Sequence, residues 1–118
     1  MQLHLSSRLL NGVLVLDCSG RLVWGEEALF FHNFSRSHLA GSKAVVLNLK
    51  DLSYMDSEGL SSLIGAYVSA RLRHGHVKFA GLAPRIRDLL SVKKLLGVLE
   101  VYDTVEDAVE DFRQTVVA

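Results

Sequence analysis

Asp51-Leu52-Ser53-Tyr54-Met55-Asp56-Ser57-Glu58-Gly59-Leu60 is the stretch on which the chain turns. An apolar run, Ala44 to Leu49, precedes it, and a run of helical period follows. Between them, Asp56-Ser57-Glu58-Gly59 places three polar side chains beside a glycine. The order reads as strand, loop and first turn of a helix. A helix start carries unpaired N–H groups and a partial positive charge. A serine there either caps the helix or offers its hydroxyl for chemistry, and Asp56 can equally supply the cap.

Downstream, Leu60, Leu63, Ile64, Tyr67, Val68 and Leu72 recur at helical spacing and form the face expected to be buried. Glu58, Ser61, Ser62, Gly65 and Ser69 fall largely on the other side. A solvated helix face normally carries long charged side chains. This short-chained face either packs within the domain or lets another surface approach closely. Arg71, Arg73, His74 and Gly75 end the helix, with positive charge where the dipole favours it.

Upstream, Gln2 to Leu10 alternates weakly, with Leu3, Leu5 and Leu9 on one parity. Asn11-Gly12 is a hairpin signal, and Val13 to Cys18 or Ser19 reads as its second strand. The single cysteine, Cys18, is expected in the core. Gly20 to Gly25 reads as a loop that carries Trp24, either an exposed anchor or a lid on the core edge. Glu26 and Glu27 suit the first turn of a helix running to about Leu39, with Phe30, Phe31 and Phe34 on or near its buried side.

After the central helix, His76 to Gly81 reads as a strand that buries Val77, Phe79 and Ala80. Pro84 opens a short helix to Leu90 or Ser91, with Ile86, Leu89 and Leu90 inward. Val98 to Tyr102 reads as an edge strand. Thr104 and Asp107 have capping-box spacing at the start of a last helix, whose apolar stripe is Val105, Ala108, Val109, Phe112 and Val116. Asp103, Glu106, Asp107, Glu110 and Asp111 are expected on its solvated face. The order is β-β-α-β-α-β-α-β-α. It predicts an α/β domain over residues 1–118, a mixed sheet with an N-terminal hairpin covered by about four helices.

Composition sets bounds on function. The chain has 118 residues, 49 % apolar and 22 % charged, which fits one globular domain. Thirteen basic and thirteen acidic side chains cancel, which argues against nucleic acid or an anionic membrane surface as partner. One cysteine allows no internal disulfide and suits a reducing cytoplasm. No signal peptide or membrane-spanning run is visible. The five histidines lack metal spacing. Ser57 lacks a G-x-S-x-G elbow, and no glycine-rich phosphate loop exists, so neither an enzyme nor a bound cofactor is expected.

The stretch from Asp51 to Leu60 resembles the signature of STAS domains, the family of bacterial anti-sigma-factor antagonists, in which D-(L/F)-(S/T)-x-(I/M)-D-S-(S/T)-G-L recurs. The likeness continues through Ala83-Pro84 to Leu95 and in the strand and helix order. It implies that Ser57 is phosphorylated by a partner, an anti-sigma factor with serine-kinase activity. The unphosphorylated chain would sequester that partner, free the sigma factor and so regulate transcription. A phosphatase would act on phospho-Ser57. ATP would belong to the kinase. The docking surface would comprise Trp24, Asp56, Ser57, Glu58, Gly59, Ser61, Ser62 and Gly65, on a cytoplasmic monomer or weak homodimer.

Two positions depart from the family pattern. Glu58 stands where a small residue is usual, and Val23 where many members carry a partner-facing aspartate. The family offers a second role, as a fixed subunit of a lipid-transport ABC ATPase docked through the helix from Ser57 to Leu72, with no phospho-switch. A scaffold in a larger sensory assembly would need a further domain.

Overall fold

The computed structural model describes residues 1–117, and the side-chain surroundings of residues 1–114. Asn11 and Gly12 have φ of 51° and 82°, the positive values that a type I′ turn requires. They join β1 (Leu3–Leu10) to β2 (Val13–Leu22) in an antiparallel ladder. There follow α1 (Glu26–Leu39), β3 (Ala44–Met55), α2 (Ser57–Leu72), β4 (His76–Ala80), α3 (Pro84–Val92), β5 (Glu100–Tyr102) and α4 (Val105–Val117). The order of elements is the one expected. The strands lie in the order β1-β2-β3-β4-β5, with β3 central. From β2 to β5 every neighbour pair is parallel.

Each parallel step moves one strand in the same direction, so right-handed crossovers place α1, α2 and α3 on one face. Phe31, Leu39, Leu60, Leu63, Ile86 and Leu90 from these helices are buried against Leu16, Leu47, Leu49 and Phe79 of the sheet. Helix α4 covers part of the other face, where Val105, Ala108, Val109 and Phe112 pack on Val13, Val15, Val46 and Ala80. The side chain of Val116, expected in this stripe, lies outside the described residues. Cys18 is buried in the larger core, and burial pushes its thiol up to about 12.

Two strands run further than the sequence reading allowed. Gly20 to Leu22, expected as loop, continues β2, and Lys50 to Met55 continues β3. Their pairing is interrupted twice, between Asp17 and Ser19 and between Gly20 and Arg21. At each place β3 advances one residue more than β2. The buried residues Leu49, Leu52 and Met55 therefore recur every third position, which hides the strand from a search for period two.

Helix α2 is also rotated from its expected setting. Val68 and Leu72, expected inside, are 46 % and 77 % exposed, whereas Gly59, Leu63 and Ala70 are buried. The side chain that would stand on Gly59 explains the rotation. A Cβ there would lie 2.0 Å from the carbonyl oxygen of Leu22. The helix thus approaches β2 through its smallest residue, and the bulkier flank turns outward.

Buried Lys78 was not anticipated. It is 4 % exposed on β4. Its amine donates to Glu100 and Tyr102 of β5 and, at 2.7 Å, to Asp111 of α4, and it lies over the Phe112 ring. Asp111, expected on a solvated face, is instead part of this cluster. The last strand is shorter than expected, beginning at Glu100, because Leu95 to Leu99 are taken up by turns with bonds from Leu95 N to Leu90 O and from Val98 N to Leu95 O.

Candidate functional site

Met55 is the last residue of β3 and Ser57 the first of α2, so a single residue, Asp56, makes the connection. Asp56 is extended, with φ −97° and ψ −175°, and its carboxylate caps the helix by accepting from Gly59 N–H at 2.8 Å. The other carboxylate oxygen accepts from Trp24 N–H at 3.0 Å, and Asp56 N–H donates to Leu22 O at 3.3 Å. One aspartate therefore joins the end of β2, the loop before α1 and the start of α2. Partial desolvation pulls its carboxyl upward in pKa. Hydrogen bonds from Trp24, Gly59 and Glu58 N–H more than offset that and hold it below the usual carboxylate range.

The cap belongs to Asp56, so Ser57 is released from that role. Ser57 is exposed at the first helical position. Its carbonyl accepts from the Ser61 hydroxyl at 3.0 Å, and Glu58 O accepts from the Ser62 hydroxyl at 3.2 Å. Bonding of short hydroxyls back to their own helix removes them from competition with water. Glu58, Ser61 and Gly65 are exposed, and Ser62 is half-buried towards α1. A Cβ on Gly65 would meet nothing within 4 Å. Gly59 is buried and can act on this surface only through packing.

Trp24 is 75 % exposed beside Asp56, so it is not a lid on the core. Ser57, Ser61 and Gly65 also border a shallow, largely apolar groove of about 550 Å³ that continues past Ile64 and Val68 to Lys93 and Leu95 after α3. The structure thus gathers Trp24, Ser57, Glu58, Ser61 and Gly65 on one end of the molecule. Three parts of this arrangement escape sequence reading. The bond from Trp24 to Asp56 spans 32 residues, and the groove borrows its far wall from the segment after α3. Ser53 is a third: its hydroxyl donates to Gly20 O at 2.9 Å, beside the second interruption of the ladder. Among the described residues no cluster of His, Cys, Asp and Glu could hold a metal ion, and no helix is long and apolar enough to cross a membrane.

This fold, with an Asp-Ser pair at the β3–α2 junction, defines a class. The chain belongs to the STAS-domain family, whose profile matches residues 4–108. It is 30 % identical over 67 residues to the anti-sigma F factor antagonist of Paenibacillus polymyxa, a match covering 57 % of each chain. The chain therefore spans about half the length of the curated relatives it matches. Its fold is similar to that of an anti-sigma factor antagonist from Mycobacterium paratuberculosis, with a TM-score of 0.82 at 19 % identity, covering 94 % of both chains. It is also similar to the Bacillus anti-sigma factor antagonist SpoIIAA. The unphosphorylated form gives a TM-score of 0.73 at 19 % identity over 94 % of this chain and 97 % of that one. The phosphorylated form gives 0.69 at 17 %, over 93 % and 98 %.

Proposed function

We propose that the chain is an anti-sigma-factor antagonist switched by phosphorylation at Ser57. The observation that carries this reading is the division of labour at the junction. Asp56 holds the helix start and the Trp24 loop, while the Ser57 hydroxyl is exposed and not needed for the cap. The curated relative is named for the same role, and SpoIIAA exists in phosphorylated and unphosphorylated forms.

The electrostatics support release without refolding. A phosphate adds roughly −1.5 to −2 charge. The helix N-terminus favours it by ~0.3–1 kcal/mol. Asp56 and Glu58 oppose it, each by about 1–3 kcal/mol at roughly 6 Å before salt screening. The modified loop gains no internal partner, so its charge faces outward and repels an acidic or apolar docking surface. A loss of ~3 kcal/mol in binding is over a hundredfold in affinity. The partner is an anti-sigma factor with serine-kinase activity that brings its own ATP. A phosphatase resets Ser57, and the chain works in the cytoplasm as a monomer or weak homodimer.

The test compares wild type and Ser57→Asp as baits for native lysate, with thermal unfolding of both. Retention of a kinase-type anti-sigma factor by wild type alone, at unchanged melting temperature, is expected. Equal retention of a transporter ATPase by both baits would refute the switch and assign a fixed-subunit role.

A further inference from the structure

The cleft between α1 and α2 carries positive charge that the fold does not use. It is a cavity of about 260 Å³ with His32 and Arg36 on one wall and Ser69 and Arg73 on the other. Ser35 and Ser62 lie deeper, and no carboxylate lines it among the described residues. Cations near helix C-termini often serve only to balance the dipole. Here several carbonyls near the helix ends have other donors. Lys43 Nζ donates to Arg73 O. The N–H groups of Arg73 and Gly75 donate to Ala70 O, and His74 N–H to Arg71 O. At the end of α1, Ser42 N–H donates to Leu39 O, and the His38 ring lies 3.0 Å from Phe34 O. Among the described residues, neither the Arg36 nor the Arg73 guanidinium has a hydrogen bond or ion pair.

We propose that this cleft binds a small oxyanion, a phosphate or phosphomonoester. Arg36 of α1 and Arg73, the residue that ends α2, line one cavity, and a guanidinium is a planar fork that matches such an anion bidentately. The Ser69 hydroxyl has no partner among the described residues and supplies a further donor. Ser35 Oγ donates to His32 O at 3.0 Å and Ser62 Oγ to Glu58 O, so both present lone pairs rather than protons. They suit a hydroxyl attached to the phosphate. The volume lies below the ~300–1,000 Å³ common for drug-sized ligands, which favours a small anion over a nucleotide. Ser57 does not line this cleft, whereas Ser62 and Gly65 belong both to it and to the proposed docking surface.

The experiment is a ¹H–¹⁵N NMR titration of the full chain with sodium phosphate, and separately with glycerol 3-phosphate, at ionic strength held constant with sodium chloride. Saturable shifts are expected at Gly65, Ser69 and Arg73 and at the Arg36 and Arg73 side chains, and not with chloride alone. In Arg36→Gln/Arg73→Gln, half-saturation should rise at least about tenfold while resonances of α4 and the sheet stay in place. Tighter binding of glycerol 3-phosphate would make the ligand a phosphomonoester. Equal binding would make it phosphate itself. Non-saturating shifts, or shifts unchanged in the folded double variant, would mean an adventitious ion only and would overturn the proposal.

Discussion

Two glycines on α2 have opposite roles, and substituting each with alanine separates them. A methyl on Gly59 must displace the Leu22 carbonyl, since the approach would be 2.0 Å against backbone. Gly59→Ala should lose ~1–3 kcal/mol in urea unfolding, the usual range for overpacking. A methyl on Gly65 meets nothing within 4 Å, and alanine costs less backbone entropy in a helix. Gly65→Ala should gain ~0.5–1 kcal/mol. If the small-residue face is where a partner docks, the same stabilising change should weaken binding, so stability and affinity would move in opposite directions. Asp56 carries a different signature. Asp56→Ala removes the cap and should cost ~0.5–2 kcal/mol. It also frees the Trp24 N–H, and Trp24 is the only tryptophan, so its fluorescence should change with the substitution. The folded pKa of Asp56 is depressed. Its contribution is therefore present above the unfolded value, ~3.9, and is lost as pH falls through the folded one. The stability difference between wild type and Asp56→Ala should shrink below pH ~4.

At the scale of elements, sequence reading found every strand and helix but not always their settings. The Asn11-Gly12 turn, the Pro84 start and the Thr104 cap are local chemistry, and each stands where it was expected; Asp107 N–H indeed donates to Thr104 Oγ1 at 3.1 Å. The ends of β2 and β3 depend on pairing between distant segments, and the added residues in β3 erase the period that would reveal them. The setting of α2 follows from the close approach of Gly59 to Leu22, a contact no hydrophobicity pattern encodes. The site was legible in part for the same reason. Asp56 and Ser57 announce themselves by type and spacing, whereas the tie to Trp24 is tertiary. Lys78 is the clearest omission, since a lysine in a strand reads as solvent-facing until its acceptors from β5 and α4 are known.

That cluster is testable as a unit. Desolvation pulls the Lys78 amine downward in pKa, but Asp111, Glu100 and Tyr102 outweigh it and raise the pKa. The bond from Lys78 holds Asp111 below the usual carboxylate range. Desolvation, with help from Asp111, raises Tyr102. Lys78→Ala should cost ~2–4 kcal/mol by combining a cavity with lost bonds. Lys78→Met should cost less, because Glu100 and Asp111 are about 42–43 % exposed and can turn to water. The raised groups stabilise below their unfolded values and lose that as pH rises past ~10. Asp111 stabilises above its unfolded value and loses that as pH falls below ~4. Urea midpoints for wild type and Lys78→Met should therefore converge at both extremes and differ most between them.

At the scale of the whole molecule, the sheet separates two helical surfaces that should be electrostatically independent. Helix α4 lies across the sheet from α1, α2 and α3, and stacked layers are ~10 Å apart. Two such spacings exceed the Debye length of ~8 Å at physiological salt. Charge on α4 should thus be almost invisible at Ser57. Glu110 and Arg113 make an exposed pair there, at 3.1 Å. Reversing both, Glu110→Lys with Arg113→Glu, keeps the net charge of zero and disturbs little stability, since exposed pairs contribute ~0–1 kcal/mol. Partner affinity should stay within about twofold by calorimetry. Glu58→Lys also acts on an exposed side chain, but on the Ser57 surface. It replaces a charge that opposes a phosphate with one that favours it, so it should narrow the affinity gap between wild-type serine and a phosphorylated or aspartate-substituted Ser57. The gap should narrow most at low salt and recover towards the parent value as salt is added. An effect of the α4 reversal equal to that of Glu58→Lys would mean that charge placed far from the junction governs binding as strongly as charge beside Ser57, and the local switch at the β3–α2 junction would have to be abandoned.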